Sequence, residues 1–253
     1  MNKITKKSMI TALLGVLGTI AGTSFAADEY QPANFGFSDQ QLLSKLDLTT
    51  AFNDSPSTIV LYCNAEIDTA GQAERVDCFD QEQNADLEKQ TQDALLEVSF
   101  SPASVNGENV PVRMSFRVVF AGSKGNVAAK LIPNVGSMQA QYGLDYIAPQ
   151  ERLDISDWYN TYNENSWLNG DEFFGDGQLS RVTAHVGKTG KPTSVRTVEA
   201  ERAYAKDAKL IEASLRRSRF IPGTVDGRPV AMGYMAVVNY GEAKEQVSYR
   251  TNK

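Results

Sequence analysis

The side chains that most often carry protein chemistry are scarce in this chain. Among 253 residues there is one histidine, His185, and there are two cysteines, Cys63 and Cys78. A single imidazole excludes any site that needs two, and two thiols exclude zinc and iron–sulfur sites with four cysteine ligands. His185 lies between Ala184 and Val186 in an alternating segment, so the pattern predicts a solvent-facing strand residue. We therefore expect no catalytic histidine, no metal and no cofactor.

The two cysteines are predicted to form a disulfide across a β-hairpin. Residues Ile59 to Ile67 alternate in hydropathy, the chain turns at Ala70-Gly71, and it returns through Cys78. Pairing the two strands about this turn places Cys63 directly opposite Cys78. The spacing is not that of a Cys-x-x-Cys redox motif, and the alternative to a disulfide is a pair of buried free thiols.

A second group of candidate residues lies between 121 and 178, a segment too long for a simple loop. It is rich in aromatic residues, which are Tyr142, Tyr146, Trp158, Tyr159, Tyr162, Trp167, Phe173 and Phe174. These rings predict either packing between the flanking parts of the chain or a surface that binds sugars or peptides. Carboxylates are plentiful, but no pair stands out as an acid and a base, so we expect no enzyme.

The elements around these residues are organised as a repeat. Phe100-Ser-Pro102-Ala-Ser-Val105-Asn106-Gly107 recurs about 120 residues later as Phe220-Ile-Pro222-Gly-Thr-Val225-Asp226-Gly227. An amphipathic helix pattern and a hairpin precede each copy, and an alternating strand follows it. Asn-Gly and Asp-Gly are turn dipeptides, and proline stops the helix from continuing, so these eight motif positions predict a scaffold rather than a reactive site.

The repeat predicts an α+β fold made of two small units. Each unit is a β-β-α-β arrangement, in which one helix covers an antiparallel three-stranded sheet. The predicted segments are a signal peptide (1–26), an N-terminal extension (27–55), a first repeat (56–122), an aromatic and acidic connector (123–177), a second repeat (178–245) and a tail (246–253).

The repeated motif resembles the C-terminal domain family of TonB, which links the inner membrane to outer-membrane receptors. The second repeat matches better, through Arg216-Arg217, Arg219-Phe220 and Asp226-Gly227-Arg228-Pro229-Val230, whereas the first has Asn109 in place of the proline. The resemblance implies that the last strand offers its edge to an extended partner segment. The candidate edge residues are Tyr234, Ala236, Val238 and Tyr240, with Val112 to Phe120 as a second candidate. The alternative is that both edges are covered within the protein.

The first 26 residues have the three parts of a secretory signal. Lys3, Lys6 and Lys7 precede an apolar run, and Ser24-Phe25-Ala26 resembles a cleavage site. We expect cleavage after Ala26 and a periplasmic location, and the competing interpretation is an uncleaved membrane anchor. Removal of three lysines leaves 22 basic and 31 acidic side chains, and this acidity argues against a nucleic-acid partner. The positive charge concentrates in residues 179–253, which have 14 basic and 7 acidic side chains.

The leading functional hypothesis is an exported, non-enzymatic protein-binding or adaptor module of the TonB C-terminal type. Its partner would be a protein or peptide segment of the cell envelope, and no membrane span would remain after cleavage. The chain lacks the proline-rich spacer of a TonB-type energy transducer, so an anchored transducer is the first alternative. An enzyme that acts on envelope polymer is the second alternative.

Overall fold

The computed structural model describes residues 28–80, 84–155, 179–200 and 205–239, and these residues form an α+β fold. All printed strand pairs are antiparallel, and helices are few. The leader, the tail, Tyr240 and the aromatic residues between 156 and 178 lie outside the described residues, so the predictions that concern them stay predictions.

The elements follow the chain in the order expected for hairpin, helix, turn and strand. The first half contains β1 (Tyr30–Gln31), β2 (Asn34–Phe35), α1 (Asp39–Leu43), β3 (Ser57–Ile67), β4 (Ala73–Asp80), α2 (Ala85–Leu96), β5 (Phe100–Ser101), β6 (Ala103–Val105), β7 (Glu108–Val110) and β8 (Val112–Ser123). The second half contains β9 (Asn126–Ile132), α3 (Gln139–Tyr142), β10 (Gln150–Arg152), β11 (Leu179–Val186), β12 (Pro192–Ala200), α4 (Ala205–Arg217), β13 (Phe220–Ile221), β14 (Thr224–Val225), β15 (Arg228–Pro229) and β16 (Met232–Asn239).

The first large sheet has six strands instead of the three that the sequence predicted. Its order is β13-β10-β8-β3-β4, and β9 also pairs with β8. Strand β8 continues past Phe120 to Ser123, and the chain then turns around Gly125 and returns as β9. Strands β9 and β10 belong to the predicted connector, and β13 belongs to the second motif. The connector therefore contributes to the first sheet rather than only joining two units.

The first core lies between this sheet and helix α2. Alternate residues of β3 and β8 turn toward the helix, and among them Leu61 and Phe116 are completely buried. Leu87 and Leu95 of α2 are buried in the same cluster, in agreement with the predicted amphipathic helix. Phe100 is also buried there, where it packs near Phe35 and Phe37 of the N-terminal extension.

The second sheet has three described strands in the order β12-β11-β16, and α4 packs on β11 and β12. Its core is a separate cluster of buried residues: Val182, Ala184, Val186, Val195, Ile211, Leu215, Phe220, Tyr234 and Ala236. The helix and the sheet again supply one apolar face each, which is the minimum needed to exclude water from a small core.

The disulfide that the hairpin register predicted is present. Cys63 and Cys78 are direct partners in the β3–β4 ladder, and their Sγ atoms are bonded at 2.04 Å. Both residues are buried on the helix-facing side of the sheet. No described cysteine is left free.

The repeated motifs form the tight turns that their sequences predicted. Asn106-Gly107 joins β6 to β7, and Asp226-Gly227 joins β14 to β15. All four residues have positive φ, between 50° and 82°, as a two-residue turn of type I′ requires. Within the described part of the chain, no helix is long and apolar enough to cross a membrane.

Candidate functional site

Strand β16, which contains the predicted partner-binding residues, is at one edge of the second sheet. It pairs with β11 from Leu179 opposite Asn239 to Val186 opposite Met232, with no register shift. No other described strand pairs with it. Tyr234 and Ala236 are buried toward the core, and Val238 belongs to the same strand. Alternate residues of an edge strand direct their N–H and C=O groups away from the sheet, where another strand can bind them.

The composition of β16 distinguishes it from the other sheet edges. Its eight residues, Met-Gly-Tyr-Met-Ala-Val-Val-Asn, contain no charge and no proline. The opposite edge, β12, begins with Pro192, contains Arg196 and Glu199, and is interrupted by two register shifts. Strand β4, at the edge of the first sheet, has four charged residues in eight and one register shift. Charge, proline and bulges are the features that protect edges from pairing, and β16 has none of them.

The second candidate edge, Val112 to Phe120 of β8, is not available, so that prediction was wrong. Strand β9 pairs with β8 from Arg117 to Ser123, and β10 pairs with Val112 and Arg113. The other side of β8 pairs with β3 over its whole length. The β9 strand was missed, although the alternation of Val127, Ala129 and Leu131 after the turn at Gly125 was a usable signal.

An apolar pocket of about 290 Å³ lies against the outer face of β16, and we call it the β16 pocket. Gly233 and Met235, both exposed, and Thr183 of β11 form its sheet side. The opposite wall comes from the connector and β8. The apolar residues of the lining are Val135, Met138, Ala148, Pro149, Tyr234 and Met235. Ser115, Ser137 and Thr183 supply its polar side chains, and no lining residue is charged.

A buried polar network lies at the junction between β16 and the first sheet. The Nη2 atom of Arg113 donates to Oε1 of Glu66 at 2.9 Å, and Nη1 lies 3.8 Å from Oε2 of Glu151. Glu151 also accepts hydrogen bonds from the Tyr234 hydroxyl at 2.8 Å and from the Ser218 hydroxyl at 3.1 Å. All five residues are at least nine-tenths buried. The network therefore joins β3, β8 and β10 to the second core.

The protonation state of Tyr234 follows from this environment. Burial, and after it the negative charge of Glu151, raises the pKa of the Tyr234 hydroxyl well above its usual range. Tyr234 therefore keeps its proton and remains the donor to Glu151. Because its hydroxyl is held from the core side, the start of β16 is fixed in place beside the first sheet.

Sequence reasoning missed this network for a physical reason. Glu66 and Arg113 alternate onto the face of the sheet that does not meet α2, so the pattern predicted solvent exposure. Their burial depends on β10, and the triplet Gln150-Glu151-Arg152 has no strand signature. The one available signal was the presence of opposite charges at positions 66 and 113, which become cross-strand partners once β3 and β8 are paired.

The remaining candidate chemistry is limited in the described residues. His185 is exposed on β11, as its alternation predicted. No group of three or more His, Cys, Asp or Glu side chains in the described ranges is placed to hold a metal ion. Tyr146 of the connector is buried, and its ring lies 6.1 Å from that of Tyr142, so these two aromatic residues serve packing.

Comparison with known proteins returns no relative. No protein-family model matches the chain, no curated protein matches it, and no solved structure matches it. Its function is therefore argued from the geometry of the β16 edge and the residues of the repeated motif.

Proposed function

We propose that this chain is an exported protein-binding or adaptor module of the TonB C-terminal type. In this proposal it binds an extended segment of an envelope protein by strand addition at β16, without catalysis. The observation that carries the proposal is the contrast between edges. Strand β16 offers eight uncharged residues in unbroken register, whereas β8 is covered and β12 and β4 carry charges, bulges or proline. Backbone pairing gives affinity, and side-chain pockets beside the strand give specificity.

The proposal includes a two-copy architecture of β-β-α-β units. In both large sheets the last strand pairs with the first strand of the hairpin, so β8-β3-β4 corresponds to β16-β11-β12. In both, the backbone N–H of the motif phenylalanine donates to the turn glycine carbonyl, Phe100 to Gly71 at 2.8 Å and Phe220 to Gly190 at 2.9 Å. These shared contacts support a common origin for the two units and the resemblance to the TonB C-terminal family.

The same turn contact explains why glycine stands at both positions. Gly71 and Gly190 have φ of 83° and 68°, where other residues are strained. A Cβ atom built on them would lie 2.2 Å and 2.0 Å from the carbonyl oxygens of Phe100 and Phe220. The close approach therefore needs a residue without a side chain in each copy.

Export to the periplasm is part of the proposal, and the disulfide supports it. Disulfides persist in oxidising compartments such as the periplasm and are rare in the cytosol. N-terminal sequencing of the protein recovered from the envelope tests the location of the cut. A chain that begins at Ala27 agrees with a released module, and a chain that retains Lys3, Lys6 and Lys7 would instead favour an anchored transducer.

The binding proposal is tested by photo-crosslinking from the two edges of the second sheet. Met235 on β16 and Val198 on β12 are both exposed apolar residues, 39% and 54% accessible, so each is replaced in turn by a photoreactive amino acid. We expect crosslinks to a defined envelope-protein segment from position 235 and none from position 198. Mass spectrometry identifies the crosslinked segment, which is then synthesised as a peptide.

Binding of that peptide to charge-bearing variants completes the test. Met235→Lys places a charge on the open edge, and Val198→Lys places the same charge on the opposite edge as a matched control. We expect Met235→Lys to weaken binding at least tenfold and Val198→Lys to leave it unchanged. Equal crosslinking from both edges, or equal affinity of the two variants, would contradict strand addition at β16.

A further inference from the structure

The first sheet contains an example of a strand that docks beside the last strand of a unit. Strand β10 pairs antiparallel with the start of β8, where Glu151 stands opposite Arg113 and Arg152 opposite Val112. Residues 112 and 113 lie 120 positions before Met232 and Gly233, which is the offset at which the motif repeats. Gly233 pairs with His185 as Arg113 pairs with Glu66, so the two positions are equivalent in register.

The fold itself does not explain the glycine at position 233. Its φ lies outside the left-handed region, and a Cβ atom built on it would meet no heavy atom within 4 Å. Gly233 is exposed in the interior of a strand, where glycine weakens the structure. In strands such a glycine often marks a place where a ligand or another chain approaches closely. The equivalent position in the first sheet instead holds the large, buried side chain of Arg113.

The space above Gly233 belongs to the β16 pocket. Its volume of about 290 Å³ is at the lower limit of pockets that enclose whole small ligands, and it suits one bulky side chain better. In the first sheet the docked strand places the carboxylate of Glu151 beside the charge of Arg113. The β16 pocket has no charged lining residue, so a charged side chain there would lose water without gaining a partner.

We propose that the β16 pocket receives one bulky apolar side chain of the segment that pairs with β16, at the position opposite Gly233. The segment runs antiparallel to β16, as β10 runs antiparallel to β8, and Gly233 is the floor that admits the side chain. This inference rests on the proposed strand addition and adds the residue that determines specificity. The partner is thereby identified as an extended peptide with a large neutral residue at the position opposite Gly233.

Synthetic peptides with one variable position test the pocket. The probes are seven-residue peptides of alternating threonine and valine, acetylated and amidated, with phenylalanine, alanine or lysine at the centre. Binding to the oxidised protein is followed by ¹⁵N–¹H correlation NMR through the backbone amides of β16. We expect the phenylalanine peptide to bind about tenfold more tightly than the alanine peptide, because burial of one large apolar side chain supplies a difference of this order. The lysine peptide is expected to bind no better than the alanine peptide.

A matched pair of substitutions assigns the preference to Gly233. Gly233→Leu fills the pocket, and Ser194→Leu adds the same side chain to an exposed position on the same rung of the sheet, two strands away. We expect Gly233→Leu to abolish the preference for phenylalanine over alanine and Ser194→Leu to retain it. Thermal unfolding of both variants is expected to match that of the wild type, because the added atoms at position 233 enter open space.

The outcomes separate this inference from the function on which it rests. Equal affinity for the phenylalanine and alanine peptides, or a preference that survives Gly233→Leu, would overturn the pocket and leave strand addition at β16 intact. Absence of binding by every peptide would overturn both.

Discussion

Strands β8 and β16 occupy the same place in their sheets but have different surroundings. Each is the last strand of its unit and pairs with the first strand of a hairpin. The outer side of β8 is covered by β9 and β10, and a buried arginine lies on its outer face. The outer side of β16 has no described strand beside it, and a glycine stands where that arginine would be. The difference teaches that the chain around a unit, rather than the unit itself, decides which edge can bind a partner.

The largest expected effect comes from the covered strand. Arg113→Met leaves Glu66 and Glu151 buried without their cation, so we expect the free energy of unfolding to fall by about 3–5 kcal/mol. Urea unfolding of the oxidised protein measures it. Arg152→Met is the control, because its ion pair with Asp154 is partly exposed and is expected to contribute about 1 kcal/mol or less. Similar losses from both variants would show that the junction does not depend on the buried network.

Removal of the disulfide sharpens the comparison between the two hairpins. The cysteine pair of the first hairpin corresponds to Val182 and Thr197 in the second, which has no crosslink. We expect reductant to lower the stability of the wild type by about 3 kcal/mol, because the disulfide closes a 15-residue loop. The double variant Cys63→Val, Cys78→Thr is expected to be unaffected by reductant. A wild type whose urea midpoint does not move on reduction would contradict the structural role of the bond.

Acid is expected to act on the second helix more than on the first. Glu212 of α4 accepts hydrogen bonds from the backbone N–H of Thr197 and from Arg216, whereas Gln92, at the equivalent position of α2, contacts β4 with a neutral amide. Hydrogen bonds from Arg216, and after it Lys209, lower the pKa of Glu212 from its usual 4.5 to about 2. The stabilisation is thus complete above pH 4.5 and is lost as the pH falls toward 2.

Two variants measure this acid response. Glu212→Gln is expected to lower stability by about 1 kcal/mol near neutral pH, a modest value because Lys209 and Arg216 are largely exposed. It should also flatten the decline of the thermal midpoint between pH 4.5 and 2. Gln92→Ala serves as the control, since it changes the level but not the pH dependence. An unchanged acid profile in Glu212→Gln would remove this distinction between the helices.

The smallest expected effect concerns two glycines with opposite roles. Gly233→Ala is expected to raise stability by about 0.5 kcal/mol, because an open strand position gains from losing glycine. Gly190→Ala is expected to lower it, because φ is 68° and the added carbon would lie 2.0 Å from the carbonyl oxygen of Phe220. Thermal unfolding compares the two. Destabilisation by Gly233→Ala would mean that the fold requires glycine at that position.

Local pattern was enough to predict the parts of the fold that depend on neighbouring residues. The alternation around Gly71, the dipeptides Asn106-Gly107 and Asp226-Gly227, and the helix before Phe100 each predicted the observed elements. The hairpin register also placed the two cysteines together. These features follow from periods of 2 and 3.6 residues and from turn chemistry.

The parts that could not be predicted depend on segments distant in sequence. Pairing of β13 with β10, and of β10 with β8, brings Glu151 beside Arg113 and closes the edge of β8. Three-residue and two-residue strands have no periodicity to detect. The pocket beside Gly233 arises in the same way, since its walls come from the connector and from β8. What could be predicted of the candidate site was the strand, and what could not was its surroundings.

The central claim is that the edge of β16 is open while that of β8 is closed, and residue-resolved hydrogen exchange of the free protein tests it most directly. Alternate backbone amides of β16 that point away from β11 are expected to exchange rapidly. The corresponding amides of β8 are hydrogen-bonded to β9 or β10 and are expected to exchange slowly. Slow exchange of every amide from Met232 to Asn239 would show that the edge is covered within the protein and would contradict the proposed binding site.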